Sequence, residues 1–275
     1  MCTLTLAWQT FVDAPIALAA NRDEALDRRS EPPAVREPAR GDGVRYVAPR
    51  DARAGGTWIG LSAAGVAVAV TNRWLDADRE GDRSRGLLVR DCLEAGSAEA
   101  AVRGVERDLE SRSYDGFNLV VADADAAFCL SYDGRLAVAR LDPGVHVVGN
   151  VGGVLNGVDR FAVPERRREF GAERVDSARR IVAELVPEPG ETGAAWLDRA
   201  SAVLADHEYG ACLHGDEFGT RSFTRIRTSA DPELAPEFAY ADGPPCETPA
   251  ESASLPAGFG GDGANSGGVG ARDDE

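Results

Sequence analysis

The chain has 275 residues, of which 46 are acidic and 30 are Lys or Arg, so its formal charge is −16. All 30 are Arg, and without Lys the sequence excludes a P-loop lysine, a Schiff base with pyridoxal phosphate and a Ser-Lys dyad. The acidic balance argues against binding of nucleic acid or anionic membranes, since both depend on positive surface, so we expect a small-molecule substrate or ligand.

The first eight residues, from Met1 to Trp8, lack a positively charged leader, and no later run of eighteen apolar residues occurs. We therefore expect a cytoplasmic protein without membrane insertion. The negative charge suits a salt-rich cytosol, where a Debye length of about 3 Å at molar salt screens the repulsion. GC-rich codon usage would also favour Arg over Lys, and both explanations stay open. The oligomeric state is not predicted.

Short strand-like runs dominate the first half of the chain. They lie at 3–8, 15–20, 44–48, 57–62, 66–71, 117–122, 127–132, 136–141 and 145–148. The run at 66–70 is continuously apolar, which indicates a strand covered on both faces. Helical patterns occur in two pairs, at 86–94 and 98–111, and at 175–185 and 194–207. We predict an α+β fold in which sheets lie between helices.

The last segment, 241–275, is rich in Gly and Pro and has only Leu255, Phe259 and Val269 as sizeable apolar residues. Such a segment buries too little to offset its ordering entropy, so we predict a domain at 1–240 and a disordered tail at 241–275. The five cysteines are irregularly spaced without C-x-x-C, so we expect free thiols, no metal or other cofactor, and an incidental Cys246.

Cys2 is a candidate nucleophile. If Met1 is removed, Cys2 carries a thiol with a pKa near 8.5 and an α-amine with a pKa near 7.7–8.0, so the amine can act as the base for its own side chain. The alternative is that Cys2 is the first apolar position of an edge strand.

Polar residues follow three of the strand-like runs. The block Asn21-Arg22-Asp23-Glu24 follows the second run, and Asn72 and Asn150 follow later ones. Loop residues at strand ends commonly line a site, and an Asn amide there can donate to a developing oxyanion. The alternative is that these are solvated turns, which Asn and Asp favour.

These motifs resemble those of the NRDE family, also called the transport and Golgi organisation protein 2 family. The resemblance spans about 1–228. It rests on Met1-Cys2-Thr3, Asn21-Arg22-Asp23-Glu24, Gly55-Gly56-Thr57-Trp58-Ile59-Gly60, Thr71-Asn72-Arg73, Asn150 and Gly219-Thr220-Arg221-Ser222. It implies a four-layer αββα sandwich of the N-terminal nucleophile hydrolase type.

The resemblance also implies roles. Cys2 would attack an amide or thioester, Asp23 and Asn21 would hold its amine, and Asn72 and Asn150 would bind the oxyanion. The predicted substrate-binding residues are Arg22, Glu24, Trp58, Arg73 and Arg221. Related hydrolases carry an Arg where this chain has Ala20, and Arg160 competes with Arg221 for a later Arg position. The runner-up function is a carrier of haem or an acyl lipid, with Cys2, His146 or His214 as axial ligand.

A second constellation is Cys212-Leu213-His214 with Asp216 nearby. On a strand the thiol and the imidazole would share one face and could bind a metal or form a Cys-His pair. The alternative, which we favour, is a strand with one buried thiol and a hydrogen-bonded imidazole.

Overall fold

A computed structural model describes residues 2–39, 41–77, 79–231 and 233–260. Fifteen strands in these ranges form two sheets, and every adjacent pair of strands is antiparallel. Four α-helices connect or follow the strands. The fold is therefore built from hairpins, which the short alternating runs of apolar and polar residues favour.

The first sheet has eight strands. They are β1 (Cys2–Phe11), β2 (Ala14–Ala25), β10 (Gly144–Gly149), β11 (Gly152–Leu155), β12 (Val158–Phe161), β13 (Phe218–Arg227), β14 (Glu237–Ala241) and β15 (Glu251–Ser252). Their order across the sheet is β12-β11-β10-β1-β2-β13-β14-β15. The N-terminal strand thus lies in the interior of the sheet, between β10 and β2.

The second sheet has seven strands in sequence order. They are β3 (Ser30–Arg36), β4 (Tyr46–Asp51), β5 (Ile59–Ser62), β6 (Ala67–Asn72), β7 (Phe117–Ala122), β8 (Ala127–Tyr132) and β9 (Leu136–Arg140). The predicted two-sided burial of the 66–70 run is confirmed, because Val66 and Val68 pack towards helices while Ala67 and Ala69 pack between the sheets.

The helices are α1 (Arg85–Leu93), α2 (Ala98–Asp108), α3 (Arg168–Glu184) and α4 (Gly193–Ala205). Hydroxyl groups cap three of them: Ser84 accepts from the Gly86 N–H, Ser97 from the Ala100 N–H, and Thr192 from the Ala195 N–H. Within the described ranges, none of the helices has the length and apolar character that a membrane crossing requires.

Three apolar cores separate four layers. The middle core joins the two sheets through residues such as Leu4, Leu6 and Leu61. One outer core packs α1 and α2 on the second sheet, and the other packs α3 and α4 on the first, around the fully buried Trp196. Side chains alternate between faces along each strand, so β1 supplies both the middle core and an outer one. The predicted αββα sandwich is confirmed.

Three of the differences from the sequence predictions concern the site and the C-terminal segment. Strand β2 continues to Ala25, so Asn21-Arg22-Asp23-Glu24 lies within a strand and not after it. Cys212-Leu213-His214 lies in a loop and not on a strand. Residues 242–260 pack on the domain where a disordered tail was expected, because β15 pairs with β14 and Phe259 inserts into the middle core. The rest of that predicted tail, 261–275, lies outside the described residues.

Candidate active site

Cys2 lies at a polar pocket where the ends of β1 and β2 meet the second sheet and the start of α1. The pocket has a volume of about 90 Å³. Six of the ten predicted site residues line it, namely Cys2, Arg22, Asp23, Glu24, Trp58 and Asn72. The site therefore lies between the two sheets, with its nucleophile candidate on the first sheet, Asn72 at the end of a strand of the second and Trp58 just before another.

The sulfur and the main-chain nitrogen of Cys2 both have polar partners. The Asp23 backbone N–H bonds to the sulfur, and the Cys2 N–H donates to Asn150 Oδ1 at 3.2 Å. Burial raises the pKa of the Cys2 thiol, and the Asp23 N–H only partly offsets this. At neutral pH the thiol is therefore protonated and needs a base before it can attack.

Asn150 joins the two sheets next to Cys2. Its Oδ1 accepts from Cys2 of the first sheet, and its Nδ2 donates to the backbone carbonyl of Asn72, in the second sheet, at 2.7 Å. Its own carbonyl accepts from the Trp74 N–H. The side chain is 1% exposed, so both ends of its amide are committed to holding the strands together. Asn150 is therefore placed to orient the Cys2 nitrogen, while the Asn72 carbonyl takes one of its two Nδ2 hydrogens.

The Asp23 side chain is buried beneath the pocket. Its Oδ1 accepts from the Thr220 hydroxyl at 2.6 Å, and Thr220 Oγ1 in turn accepts from the Leu213 N–H. Burial raises the pKa of Asp23 to about 6, although the Thr220 hydroxyl and the charge of Arg174 work in the opposite direction. Asp23 is therefore mostly a carboxylate at neutral pH and is suited to hold a cationic amine.

Asn21 does not line the pocket. Its Nδ2 donates to the carbonyls of Leu204 and Ala211, both at 2.9 Å, and so ties β2 to the end of α4 and the loop that follows. The physical reason is the strand itself. Asn21 lies opposite Thr3 and Arg22 opposite Cys2, so Asn21 and Arg22 face opposite sides of the sheet.

Arg22 faces the pocket and is 5% exposed. Its guanidinium lies 4.1 Å from the centroid of the Trp58 ring and 3.4 Å from Asp51 Oδ2. Burial lowers the pKa of Arg22, although Glu24 and Asp51 counteract the effect. Its Nη1 is buried and has no hydrogen-bond partner in the part of the chain that the structure describes. An acceptor oxygen in the pocket would satisfy that N–H group.

Three charged residues at the pocket were not predicted from the sequence, namely Arg28, Asp51 and Arg85. Arg28 Nε donates to Asp51 Oδ2 at 2.7 Å, and Arg85 Nη1 donates to the Gly116 carbonyl at 2.8 Å. No sequence motif marked Arg85. In the structure, Gly56 of the Gly55-Gly56 motif contacts the backbone of Gly86 and so brings the start of α1 to the pocket.

Two predicted substrate-binding arginines lie elsewhere. Arg73 Nη1 donates to Asn118 Oδ1 at 3.1 Å, and Arg221 Nη1 pairs with Asp242 Oδ1 at 2.9 Å. Arg221 occupies an irregularity in β13 between Thr220 and Ser222, which turns it away from the face that Thr220 shares with Asp23. Neither residue lines the pocket.

Comparison with known proteins identifies the family of this chain. The family model described as "Transport and Golgi organisation 2" matches residues 1–224. The chain belongs to the Transport and Golgi organisation 2 family. The family resemblance predicted from the sequence motifs is thereby confirmed. The chain is also similar to the Transport and Golgi organization protein 2 homolog of Bos taurus, with 27% identity over 243 residues, covering 78% of this chain and 83% of that one.

Similarity to solved structures identifies the fold of this chain. The chain is similar to penicillin V acylase from Agrobacterium tumefaciens, with a TM-score of 0.51 and 14% identity, covering 88% of this chain and 86% of that one. It is also similar to the Caenorhabditis elegans ortholog of N-acylethanolamine-hydrolyzing acid amidase, with a TM-score of 0.51 and 15% identity, covering 82% and 92%. This member of the family therefore has the N-terminal nucleophile hydrolase fold.

His146, an axial-ligand candidate, is committed to structural hydrogen bonds. Its Nδ1 accepts from the Asn156 N–H at 3.2 Å, and its Nε2 lies 3.0 Å from the Asp142 carbonyl, so the ring is a neutral tautomer with its proton on Nε2. Burial lowers the pKa of His146, in keeping with this neutral form. Neither ring nitrogen is available to an iron atom without breaking one of these bonds.

Proposed function

We propose that this chain is a hydrolase in which Cys2, made N-terminal by removal of Met1, cleaves an amide or thioester of a small substrate. The observation that carries the proposal is the environment of Cys2. Its sulfur lies at a pocket beside the Asp23 N–H, and its nitrogen is held 3.2 Å from Asn150 Oδ1. A hydrolase fold supports the proposal, but fold alone allows many functions and the site must supply the chemistry.

The reaction needs no base other than the chain's own α-amine. The amine takes the Sγ proton, and the sulfur attacks the carbonyl carbon to form a tetrahedral intermediate. The intermediate collapses, the amine or thiol of the substrate leaves with the transferred proton, and an acyl thioester remains on Cys2. Water then attacks this thioester, gives a proton to the α-amine and releases a carboxylic acid while the thiol is restored.

The surrounding residues have distinct roles in this scheme. Asn150 Oδ1 orients the amine, and the Asp23 carboxylate stabilises the ammonium form. Asn72 lines the pocket, and its side chain makes no hydrogen bond among the described residues, so its amide is the proposed oxyanion donor. The Arg22 Nη1 without a partner is the proposed contact for a second oxygen of the substrate.

The pocket favours a short acyl group. Its volume of about 90 Å³ is well below the roughly 300–1,000 Å³ typical of sites for drug-sized ligands. Arg22, Arg28 and Arg85 lie there beside Asp23, Glu24 and Asp51, so basic and acidic side chains are equal in number, in a chain whose overall charge is −16. A carboxylate or phosphate on the substrate would thus meet less repulsion in the pocket than over the rest of the surface.

Intact mass and acyl labelling test the proposal. We expect the purified protein to lack Met1 and a β-lactone acyl probe to modify Cys2, with the label lost in Cys2→Ala. Cys129→Ala, which removes a buried thiol outside the pocket, is the control and should label normally. Retention of Met1, or labelling of Cys2→Ala at an unchanged rate on another residue, would exclude this mechanism.

The alternative function, a carrier of haem or an acyl lipid, predicts a different result with the same purified proteins. A carrier would show a haem absorbance band on titration that survives Cys2→Ser, with no acyl adduct on Cys2. The proposed hydrolase shows the adduct and no such band. A cytoplasmic location stays a prediction for either function.

A further inference from the structure

Four side chains with metal-binding atoms meet at one corner of the molecule, away from the Cys2 pocket. They come from three places in the chain, namely His207 in a 3-10 turn (His207–Tyr209), Cys212 and His214 in the following loop, and Cys246 in the C-terminal segment. The two sulfur and two imidazole nitrogen atoms all lie within 4.8 Å of one another. Such a set is a Cys₂His₂ ligand group.

The separations suit a single tetrahedral ion. Cys212 Sγ lies 3.4 Å from Cys246 Sγ and 3.8 Å from His214 Nε2, and His214 Nε2 lies 3.1 Å from Cys246 Sγ. Zinc bonds of about 2.3 Å to sulfur and about 2.0 Å to nitrogen, at tetrahedral angles, require ligand separations of about 3.3–3.8 Å. These three separations therefore need to change by only a few tenths of an ångström.

The orientation of the imidazoles adds a second indication. His214 turns Nε2 towards the two sulfur atoms, while its Nδ1 lies 3.9 Å from Glu247 Oε1. Ligating histidines usually present their second nitrogen to a carboxylate, which fixes the ring and raises its basicity. The His207 ring packs edge-on against His214, with centroids 5.0 Å apart, and one of its nitrogens lies within 4.8 Å of the other three ligand atoms.

We propose that His207, Cys212, His214 and Cys246 bind one zinc ion. Zn²⁺ takes the two thiolates and two neutral imidazoles, and the two thiol protons are released to solvent. With four protein ligands no coordination position is left for substrate, so the ion is structural and not catalytic. Cys212 is buried while the other three residues are exposed, so the ion has an open path from solvent.

The ion would hold the C-terminal segment against the loop that supports the candidate active site. Leu213, between two of the ligands, donates its N–H to Thr220, and Thr220 donates to Asp23. Ala211, next to Cys212, accepts from the Asn21 side chain. Zinc bound at this corner is thus two hydrogen bonds from the carboxylate beneath Cys2.

A disulfide between Cys212 and Cys246 is the competing state of the same residues. Their sulfurs are 3.4 Å apart, against about 2.0 Å in a disulfide, and a disulfide would leave both imidazoles without a role. Sequence spacing indicated Cys212 and His214 but not the complete site, because Cys246 lies 32 residues from His214 in a segment without apolar periodicity.

Metal analysis of the full chain, purified without chelators, tests the proposal. We expect about one zinc per chain, falling to below about a tenth in Cys246→Ser and in His214→Ala, since each loses a ligand. Cys2→Ser is the matched control, because it removes a thiol at the other site and should keep its zinc. Cobalt in place of zinc should give the d–d bands of a tetrahedral ion with thiolate-to-cobalt charge transfer.

Three results would overturn the proposal. They are a protein that binds no zinc when zinc is added under reducing conditions, zinc retained in full by both ligand variants, and zinc lost in Cys2→Ser but not in Cys246→Ser. Folding of each variant is checked by its circular dichroism, and His214→Ala provides a second route if Cys246→Ser is unstable. None of these results depends on whether Cys2 is catalytic.

Discussion

Asp23 and Asp51 are two buried carboxylates near the same pocket whose pKa values move in opposite directions. Burial raises the pKa of Asp23 to about 6. Burial would also raise the pKa of Asp51, but hydrogen bonds from the Ala54 N–H and Arg28 outweigh it and lower the pKa. The environment of each residue therefore decides whether its charge stabilises the fold.

Replacing Asp23 by Asn should stabilise the protein at neutral pH. A carboxyl group whose pKa is raised on folding lowers the protein's free energy of unfolding as the pH rises from the unfolded pKa, near 4, to the folded pKa, about 6. Above that pH the loss of stability stays constant. We expect Asp23→Asn to gain about 2–3 kcal/mol over wild type at pH 7 and nothing at about pH 4. Urea unfolding at both values measures this, and an equal gain at the two values would contradict it.

Asp51→Asn is the matched variant with the opposite sign. A carboxyl group whose pKa is lowered on folding stabilises the protein at pH values above its unfolded pKa, near 4. This stabilisation is lost as the pH falls through the folded pKa. We expect Asp51→Asn to be less stable than wild type at about pH 7 and to approach wild type at acid pH. Relative to wild type, the free energies of unfolding of the two variants should therefore change in opposite directions as the pH rises.

At the scale of elements, the turn before β5 sets the position of α1. A Cβ on Gly56 would overlap the carbonyl group of Gly86, and Thr57 donates its N–H to the Gly86 carbonyl at 3.0 Å. Gly56 is therefore required for close backbone contact, and this contact places Ser84, Arg85 and Gly86 at the pocket.

Gly56→Ala should displace the start of α1, destabilise the protein by about 1–3 kcal/mol and slow acylation of Cys2. Gly104→Ala is the matched control. Gly104 lies within α2, and a Cβ added there would meet no neighbouring atom within 4 Å, so alanine should stabilise by about 0.5–1 kcal/mol through helix propensity. Thermal unfolding and probe kinetics measure both, and equal behaviour of the two variants would refute the packing argument.

Most strands and helices of the first half were predictable because they bury a regular face. The β7 and β8 predictions match at both ends, and α1 and α4 match within two residues. Six strands were missed, namely β3, β11, β12, β13, β14 and β15. In β13 the alternation of Arg and Thr conceals a strand that lies within the sheet. The run of apolar residues in β2 ends at Ala20, so no sequence pattern indicated that the polar residues after it continue the strand.

The candidate site was predictable only where motif and pocket coincide. The motifs identify Cys2, Arg22, Asp23, Glu24, Trp58 and Asn72. They do not identify Arg28 and Arg85, because only the packing of α1 and the second sheet brings these two to Cys2. The position of Arg73 next to Asn72 suggests the same pocket, but adjacent residues of an extended chain point in opposite directions.

At the scale of the whole molecule, the charge of −16 governs how stability depends on salt. Self-repulsion opposes the compact state, and the Debye length falls from about 10 Å at 0.1 M salt to about 3 Å at 1 M. We expect the thermal unfolding midpoint to rise with KCl over this range. In a variant with Gln at the exposed Glu106, Glu110 and Glu217, the midpoint should rise less with KCl. The same dependence on salt as in wild type would contradict the charge argument.

The position of β1 inside its sheet has a consequence for synthesis of the chain. One edge of β1 pairs with β2 within the first 25 residues, but its other edge waits for β10 at 144–149. At about 5–20 residues per second the ribosome takes roughly 7–30 s to make the intervening chain. During that interval the first residues stay accessible to an aminopeptidase. Late pairing of β10 therefore sets the time in which Met1 must be removed if Cys2 is to act as a nucleophile.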